Sequence, residues 1–487
     1  MNFIEDQSKT IRQEESIQKW RNAKGIGTLL LCPRFGKTKI GVTIINRIIN
    51  KNDKSEIIVL TPSEYITNYW KSYFTDKQLL DNKITIISID TYNKDRSKYR
   101  KRYDLVVVDE IHKMLSEVRY ACLNELHVMS KWWLNLLGIM PNDKGKIMIE
   151  SFAPVIDEIT VDEAMSNNWV SDSIEYNLAL ELSDDDKLRY IRFTNMISET
   201  IKLFDGVHNR VLYNNQKIFE SDFDLIYACY TGKKVKHGYV EGIKFREMVA
   251  SVMGWQSNLD LTIEYNDERN KYWNPNAIYE RTKLFTTIVK QRNEILANNE
   301  IKLNCVVDII KKYNSPTIVF NESIDFVTKI ADSLGKDAIA YHSKIESRPI
   351  WDDENNDWFR YKDGAKKDQP KMFGSSKIKD ETIKGIISGK YKYLITAKAL
   401  DEGLTIPNLE IVIITAGSTN PIQQGQRIGR GCTIDNNNPN KQTKVFNLYF
   451  DDIILEDNKI IKSRDKTKLI ERQGKNAIYL MDLNEIS

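Results

Sequence analysis

Short runs of consecutive apolar, mostly β-branched residues constrain this chain more than any other feature, because they occur in two separate series. The first series is Thr28–Cys32, Ile57–Leu60, Ile84–Ile89 and Leu105–Asp109. The second is Thr317–Phe320, Ala338–His342, Tyr393–Thr396, Ile411–Thr415 and Lys444–Tyr449. Continuous rather than alternating apolar residues fit parallel strands covered on both faces. The intervals between runs are long enough for crossover helices, so each series predicts βαβ units in an open α/β sheet. Between them the sequence is charged and aromatic, and Asp184–Leu203 and Tyr279–Leu296 read as helices. The expected organisation is an α/β domain over 1–156, a mostly helical bridge over 157–300 and a second α/β domain over 301–455. A polar surface insertion falls at 345–380, and a tail over 456–487 has an apolar end, Ala477–Met481, expected to pack back as a helix or strand.

Composition narrows the function classes. Among 487 residues, 71 basic and 68 acidic side chains leave +3, so any nucleic-acid site must be a local patch rather than a global field. Five scattered cysteines, never spaced as CxxC, argue against a disulfide framework or zinc site and fit a reducing compartment. No apolar run reaches the length of a membrane span, and Met1–Thr10 is too polar for a signal peptide. A soluble cytoplasmic chain without a membrane partner is expected, in a host's cytoplasm if the source is viral.

The strongest local signal follows the first run, where Cys32-Pro33-Arg34-Phe35-Gly36-Lys37-Thr38 leads into an apolar helical stretch. A strand, a tight turn and Lys-Thr opening a helix make a phosphate cradle, in which backbone N–H groups face the phosphates. Lys37 would meet the β/γ oxygens and the Thr38 hydroxyl a Mg²⁺ ion. A plain helix start with an exposed lysine is the alternative. The fourth run ends in Asp109-Glu110-Ile111-His112. Acids at the carboxyl end of a parallel strand lie where such sheets bind ligands. Asp109 can hold Mg²⁺ through water and Glu110 can deprotonate an attacking water. In the second series, Gln426-Arg427-Ile428-Gly429-Arg430 offers arginines suited to a transferring phosphoryl group.

In order along the chain, these pieces resemble the motifs of superfamily 2 helicases and translocases. Arg12-Gln13 before Trp20 looks like the adenine-reading Q motif, and Gly36-Lys37-Thr38 like motif I. Leu60-Thr61-Pro62-Ser63 with Trp70 resembles motif Ia, Ser88–Thr91 motif Ib, and Asp109–His112 a DExH motif II. Thr317–Asn321 and Tyr341-His342-Ser343 look like motif IV and its sequel, Ala399–Pro407 like motif V, and Gln426–Arg430 like motif VI. The stretch Phe152–Ser171 is similar to that of phage-type (UvsW-like) and restriction-subunit-like (ResIII) DNA helicases. The resemblance implies two RecA-like parallel-sheet domains in tandem with a mostly helical bridging region, and ATP and Mg²⁺ bound at their cleft. Catalysis would fall to Glu110, Lys37 and Arg430, with Arg427 and Gln426 in support. Gln13, Arg34, Gly36, Lys37, Thr38, Asp109, Glu110 and Gly403 would bind nucleotide, with Thr38 and Asp109 on the metal and His112 in coupling. Thr61, Pro62, Ser63, Thr91 and Ser343 would contact a nucleic acid, DNA first, without reading its sequence.

Three positions depart from the family pattern. Arg34 stands for the first glycine of GxGKT, Leu137-Gly138-Ile139 replaces the hydroxyl-bearing motif III, and Thr433 replaces the last arginine of motif VI. An RNA helicase of the same fold, or a weak ATPase serving as a nucleic-acid-binding subunit, are the alternative readings. The basic cluster Lys94–Arg102 reads as a solvated loop or a phosphate contact, and the pairs Trp132-Trp133 and Trp351/Trp358 as packing or base-stacking rings.

Overall fold

The computed structural model describes residues 7–75, 78, 84–235, 238–255, 273–352, 355, 357–362, 366–397, 406, 408–416, 429, 441–472 and 477–486. The chain divides into two compact units, one of Met1–Ala179, Leu303–Tyr449 and Thr467–Ser487, the other of Leu180–Lys302 and Phe450–Lys466. The first unit holds both sheets.

In the first sheet the strands are β1 (Ile26–Leu31), β2 (Ile57–Thr61), β3 (Ile84–Ser88), β4 (Tyr103–Asp109), β5 (Ser130–Leu137) and β6 (Val155–Ile159). Their order is β3-β2-β4-β5-β1-β6, and every neighbouring pair is parallel. Strand β2 shows why the run is apolar at every position. Ile57 and Val59 enter one core with Trp70, while Ile58 and Leu60 enter the core on the opposite face. Helix α1 (Gln7–Asn22) and helix α2 (Lys37–Lys51) contribute Ile17, Trp20, Ile40 and Ile44 to the first of these cores.

In the second sheet lie β7 (Asp172–Leu180), β8 (Thr317–Asn321), β9 (Ala338–Tyr341), β10 (Tyr393–Ala397), β11 (Ile411–Ile414), β12 (Gln442–Phe450) and β13 (Ile478–Leu480). Their order is β9-β10-β8-β11-β12-β7-β13. The pairs from β9 through β12 are parallel, as is β13 on β7. Two parallel-sheet α/β domains in tandem, the RecA-like arrangement, are therefore present. The tail end expected as helix or strand is the edge strand β13.

Strands β5, β6 and β7 carry no continuous apolar run, and each hides a polar residue with a partner on another element. Asn135 in β5 donates to Thr28 Oγ1 at 2.9 Å and accepts from Trp133 Nε1 at 2.7 Å. Asn447 in β12 donates to Asn177 of β7 at 2.8 Å. Paired polar groups are tolerated in a core that would reject them alone.

The second unit is largely helical, with α4 (Asp184–Leu203), α5 (Asp222–Thr231), α6 (Gly242–Val252) and α7 (Pro275–Ala297), following α3 (Glu64–Lys71) of the first. Phe204, Leu225, Phe245, Ile278 and Phe285 fill its core. The Ser183 hydroxyl caps α4 by accepting from Asp186 N at 3.3 Å, with three aspartates in the first turn facing the helix dipole. Elsewhere in this unit the fully buried Lys302 ammonium pairs with Asp465 above the Phe450 ring. Removing one partner of such a pair strands a buried charge. Asp465→Ala is expected to lower unfolding stability by about 3–5 kcal/mol. The volume-matched double change Lys302→Met/Asp465→Leu should recover most of that loss in a denaturant titration.

Candidate active site

The loop between β1 and α2 is held in an unusual shape by its own backbone and by side chains behind it. Arg34 (φ 69°) and Gly36 (φ 110°) both occupy left-handed conformations, a permissive choice for glycine and a strained one for arginine. Phe35 anchors the turn, fully buried with its ring edge-on to Trp169 at 5.5 Å between centroids. Helix α1 grips the carbonyls on either side. Gln13 Nε2 donates to Phe35 O at 2.7 Å, and Lys9 Nζ donates to Arg34 O at 3.1 Å and Trp169 O at 2.6 Å. Helix α1 is itself fastened through Arg12, whose guanidinium donates to both Asp157 carboxylate oxygens at 2.8 Å. Gln13 thus spends its amide on the loop, and a Cβ at position 36 would come within 2.5 Å of that nitrogen.

Lys37, the first residue of α2, is brought to the acidic pair at the end of β4. Its ammonium lies 3.5 Å from Glu110 Oε1 and donates to Leu31 O at 3.5 Å, both long contacts that leave it room for a stronger anion. Gly138, just past β5, lies against this ammonium, and a Cβ there would stand 2.9 Å from Lys37 Nζ and push it aside. Glu110 itself adopts φ 50°, a left-handed conformation costing about 1–3 kcal/mol. Its N–H donates to Leu136 O at 2.9 Å, which holds the turn against β5. Asp109 is buried, and the fully buried Trp70 of α3 donates to its Oδ2 at 2.7 Å.

The electrostatics separate the two acids. Burial and the neighbouring Glu110 charge push the Asp109 carboxyl up, to about 6. Burial also acts upward on Glu110, but the charges of Lys37, His112 and Lys113 outweigh it and hold that carboxyl below its usual range. Glu110 is therefore the more readily ionised of the two. Its Oε2 makes no hydrogen bond among the described residues and stands 3.4 Å from His112 Nδ1. The half-buried Thr38 follows Lys37 in the first turn of α2. A glycine-shaped cradle, a loosely held lysine and two carboxylates of opposite tendency are a donor set that fits a nucleotide triphosphate and Mg²⁺.

The remaining expected residues are placed as follows. Thr61 is buried, with its hydroxyl 2.6 Å from Thr67 Oγ1 and donating to Ser63 O at 3.1 Å, so it shapes the turn after β2. Pro62 is buried beside it, and the half-buried Ser63 precedes α3 with a hydroxyl that makes no hydrogen bond among the described residues. Thr91 shares a 2.9 Å hydroxyl contact with Ser88, and Ser343 is exposed. Gly403, Gln426, Arg427 and Arg430 lie outside the described residues. Gly429, from the same segment as the arginines, accepts a hydrogen bond from Arg34 Nε at 3.3 Å. Of the basic cluster, Arg100 pairs with Glu125 at 2.7 Å and Lys101 with Glu56 at 2.5 Å. Trp133 is core, stacked on Phe152 at 5.5 Å.

Several supporting residues were not picked out as site residues from the sequence. Lys9, Trp169, Trp70 and Gly138 act on the loop and acids from four different segments, and of these Lys9 alone falls outside the stretches with a family resemblance. Trp169 lies in the stretch Phe152–Ser171, so that segment forms the rear wall of the phosphate loop.

Residues 301–433 match the helicase conserved C-terminal domain. Over 432 residues the chain is 18% identical to the DNA 3'-5' translocase XPB2 of Sulfurisphaera tokodaii, covering 86% of this chain and 77% of that one. The crystal structure of the Pyrococcus furiosus Hef helicase domain aligns with a TM-score of 0.46 and 14% identity, covering 90% of this chain and 95% of that chain. The domain match and the translocase match are both to helicase-type proteins. The domain match takes in β8 to β11, the strands of the second α/β domain.

Proposed function

We propose that the chain is an ATP-dependent DNA translocase or helicase of the DExH, phage-type kind, coupling hydrolysis to movement on or remodelling of DNA. The observation that carries this reading is the convergence of Lys37, Glu110 and Gly138 at the carboxyl ends of β1, β4 and β5. DNA is favoured as the track because the curated relative is named a DNA translocase. In this reading the loop N–H groups and Lys37 bind the β/γ-phosphates, and Glu110 accepts the proton of the attacking water. Thr38 and Asp109 would hold Mg²⁺, which when bound supplies charge neutralisation at the phosphate oxygens. Arg430 would serve as the arginine finger, with Arg427 and Gln426 beside it and Gly403 at the nucleotide. His112 would couple the acid to the nucleic-acid face, where Ser63, Thr91 and Ser343 position phosphates.

Glu110→Gln tests the division of labour. The amide keeps the size of the side chain but cannot accept a proton, so turnover should fall roughly 10²–10⁴-fold. ATP and DNA binding, measured by a fluorescent nucleotide and a labelled duplex, should persist. Loss of nucleotide binding in this variant would make Glu110 structural and sink its assignment as base.

A further inference from the structure

The polar insertion after β9 folds into a small antiparallel meander rather than an open loop. Trp351 pairs with Trp358, Asp352 with Asp357, Arg348 with Phe373 and Pro349 with Met372, and Arg360 bridges to Pro370. Trp351 and Trp358 lie edge-on at 5.2 Å and remain 38% and 41% exposed. Two large rings in so polar a segment thus pack against each other yet keep aromatic surface open to solvent. Beside them, against helix α8 (Ser375–Ile387), is a cavity of about 400 Å³. Arg348, Lys384 and Lys390 line it with one acid, Glu381. Glu381 is already neutralised by Lys377 at 3.1 Å and Lys384 at 3.0 Å, whereas Arg348 makes no ion pair among the described residues. The cleft therefore joins exposed aromatic faces to a net positive field.

We propose that this ribbon binds an unpaired stretch of nucleic acid, with a base stacked on the Trp351–Trp358 pair and flanking phosphates on Arg348 and Lys390. The inference deepens the translocase reading and rests on it for the presence of a strand. Stacking on an aromatic ring needs a base whose face is free, which selects an unpaired strand over an intact duplex. The positive cleft gives the accompanying phosphates a counter-charge without sequence preference.

The test is equilibrium binding of a fluorescein-labelled oligothymidine and of a blunt duplex to the full chain, by anisotropy, without nucleotide. Trp351→Ala/Trp358→Ala should weaken oligothymidine binding roughly tenfold or more. Duplex affinity should stay unchanged. Trp351→Phe/Trp358→Phe should retain most of the affinity, which separates stacking from collapse of the ribbon. Arg348→Gln should lower the salt dependence by about one phosphate contact. ATP hydrolysis without nucleic acid should be the same in all three variants. Unchanged oligothymidine binding in the alanine pair, or an equal loss for the duplex, would overturn the ribbon assignment alone. Failure of the unmodified chain to bind either nucleic acid would overturn the translocase reading as well.

Discussion

Lys37→Ala is expected to lower ATP hydrolysis by roughly 10²–10³-fold or more and to leave the thermal unfolding transition near that of the unmodified chain. Among the described residues the ammonium makes two long 3.5 Å contacts, to Glu110 and to Leu31 O, so its removal breaks no short hydrogen bond there. Its catalytic loss should be large because, in the proposed reading, it would stand where charge collects on a transferring phosphoryl group. Deleting one such preorganised donor lowers kcat by roughly 10²–10³-fold or more. The shape of the loop does not depend on it, being fixed by Phe35, Gln13 and Lys9 from behind. Steady-state hydrolysis and a thermal melt on the same preparation check both halves. An unchanged kcat would mean that the loop after β1 is not a phosphate cradle.

Asp157→Ala is expected to lower stability and ATP affinity together. The carboxylate is buried in β6 and accepts from Arg12 at 2.8 Å twice, from Ser16 Oγ at 2.6 Å and from Lys19 Nζ at 2.5 Å. Its loss leaves the mostly buried Arg12 charge with only the longer contacts to Glu163 at 3.7 Å and Glu15 at 3.8 Å, at a cost of up to about 3–5 kcal/mol. The damage extends to the site, because α1 carries Lys9 and Gln13, the two side chains that grip the phosphate loop. ATP affinity should therefore fall along with stability. The pH dependence has a definite sign. Burial raises the Asp157 carboxyl, but the hydrogen bonds from Arg12, Lys19 and Ser16 prevail and hold it below the ordinary value of 3.8. A depressed carboxylate stabilises above its unfolded pKa, and that contribution is lost as pH falls through the folded value. Denaturant titrations from neutral pH downward should show the unmodified chain losing stability below the ordinary carboxylate range, with Asp157→Ala lacking that part of the loss.

Most strands read from the sequence carry runs of consecutive apolar residues, because both faces of β2, β4, β8 and β11 are covered. Strands β5, β6 and β7 escaped that reading for a common physical reason. Asn135, Asp157 and Asn177 are buried polar groups whose partners lie far along the chain, at Thr28, Arg12 and Asn447. No local pattern reports such a pairing. The candidate site divides in the same way. Gly36-Lys37-Thr38 and Asp109-Glu110 are legible as compact signals at strand ends. The residues that hold them, Lys9, Trp70, Gly138 and Trp169, become meaningful only when the sheet brings them together. Gly138 is instructive, since its lack of a side chain, rather than the missing hydroxyls at Leu137 and Ile139, is what faces the Lys37 ammonium.

Coupling of ATP hydrolysis to DNA is tested most directly by the steady-state hydrolysis rate of the unmodified chain, with and without saturating DNA and with single-stranded RNA in parallel. The expected result is a slow basal rate raised several-fold by DNA and little by RNA, with activity lowered roughly 10²–10³-fold or more in the Lys37→Ala control. A rate that DNA leaves unchanged, or hydrolysis undiminished in that control, would contradict a DNA-coupled ATPase at this site.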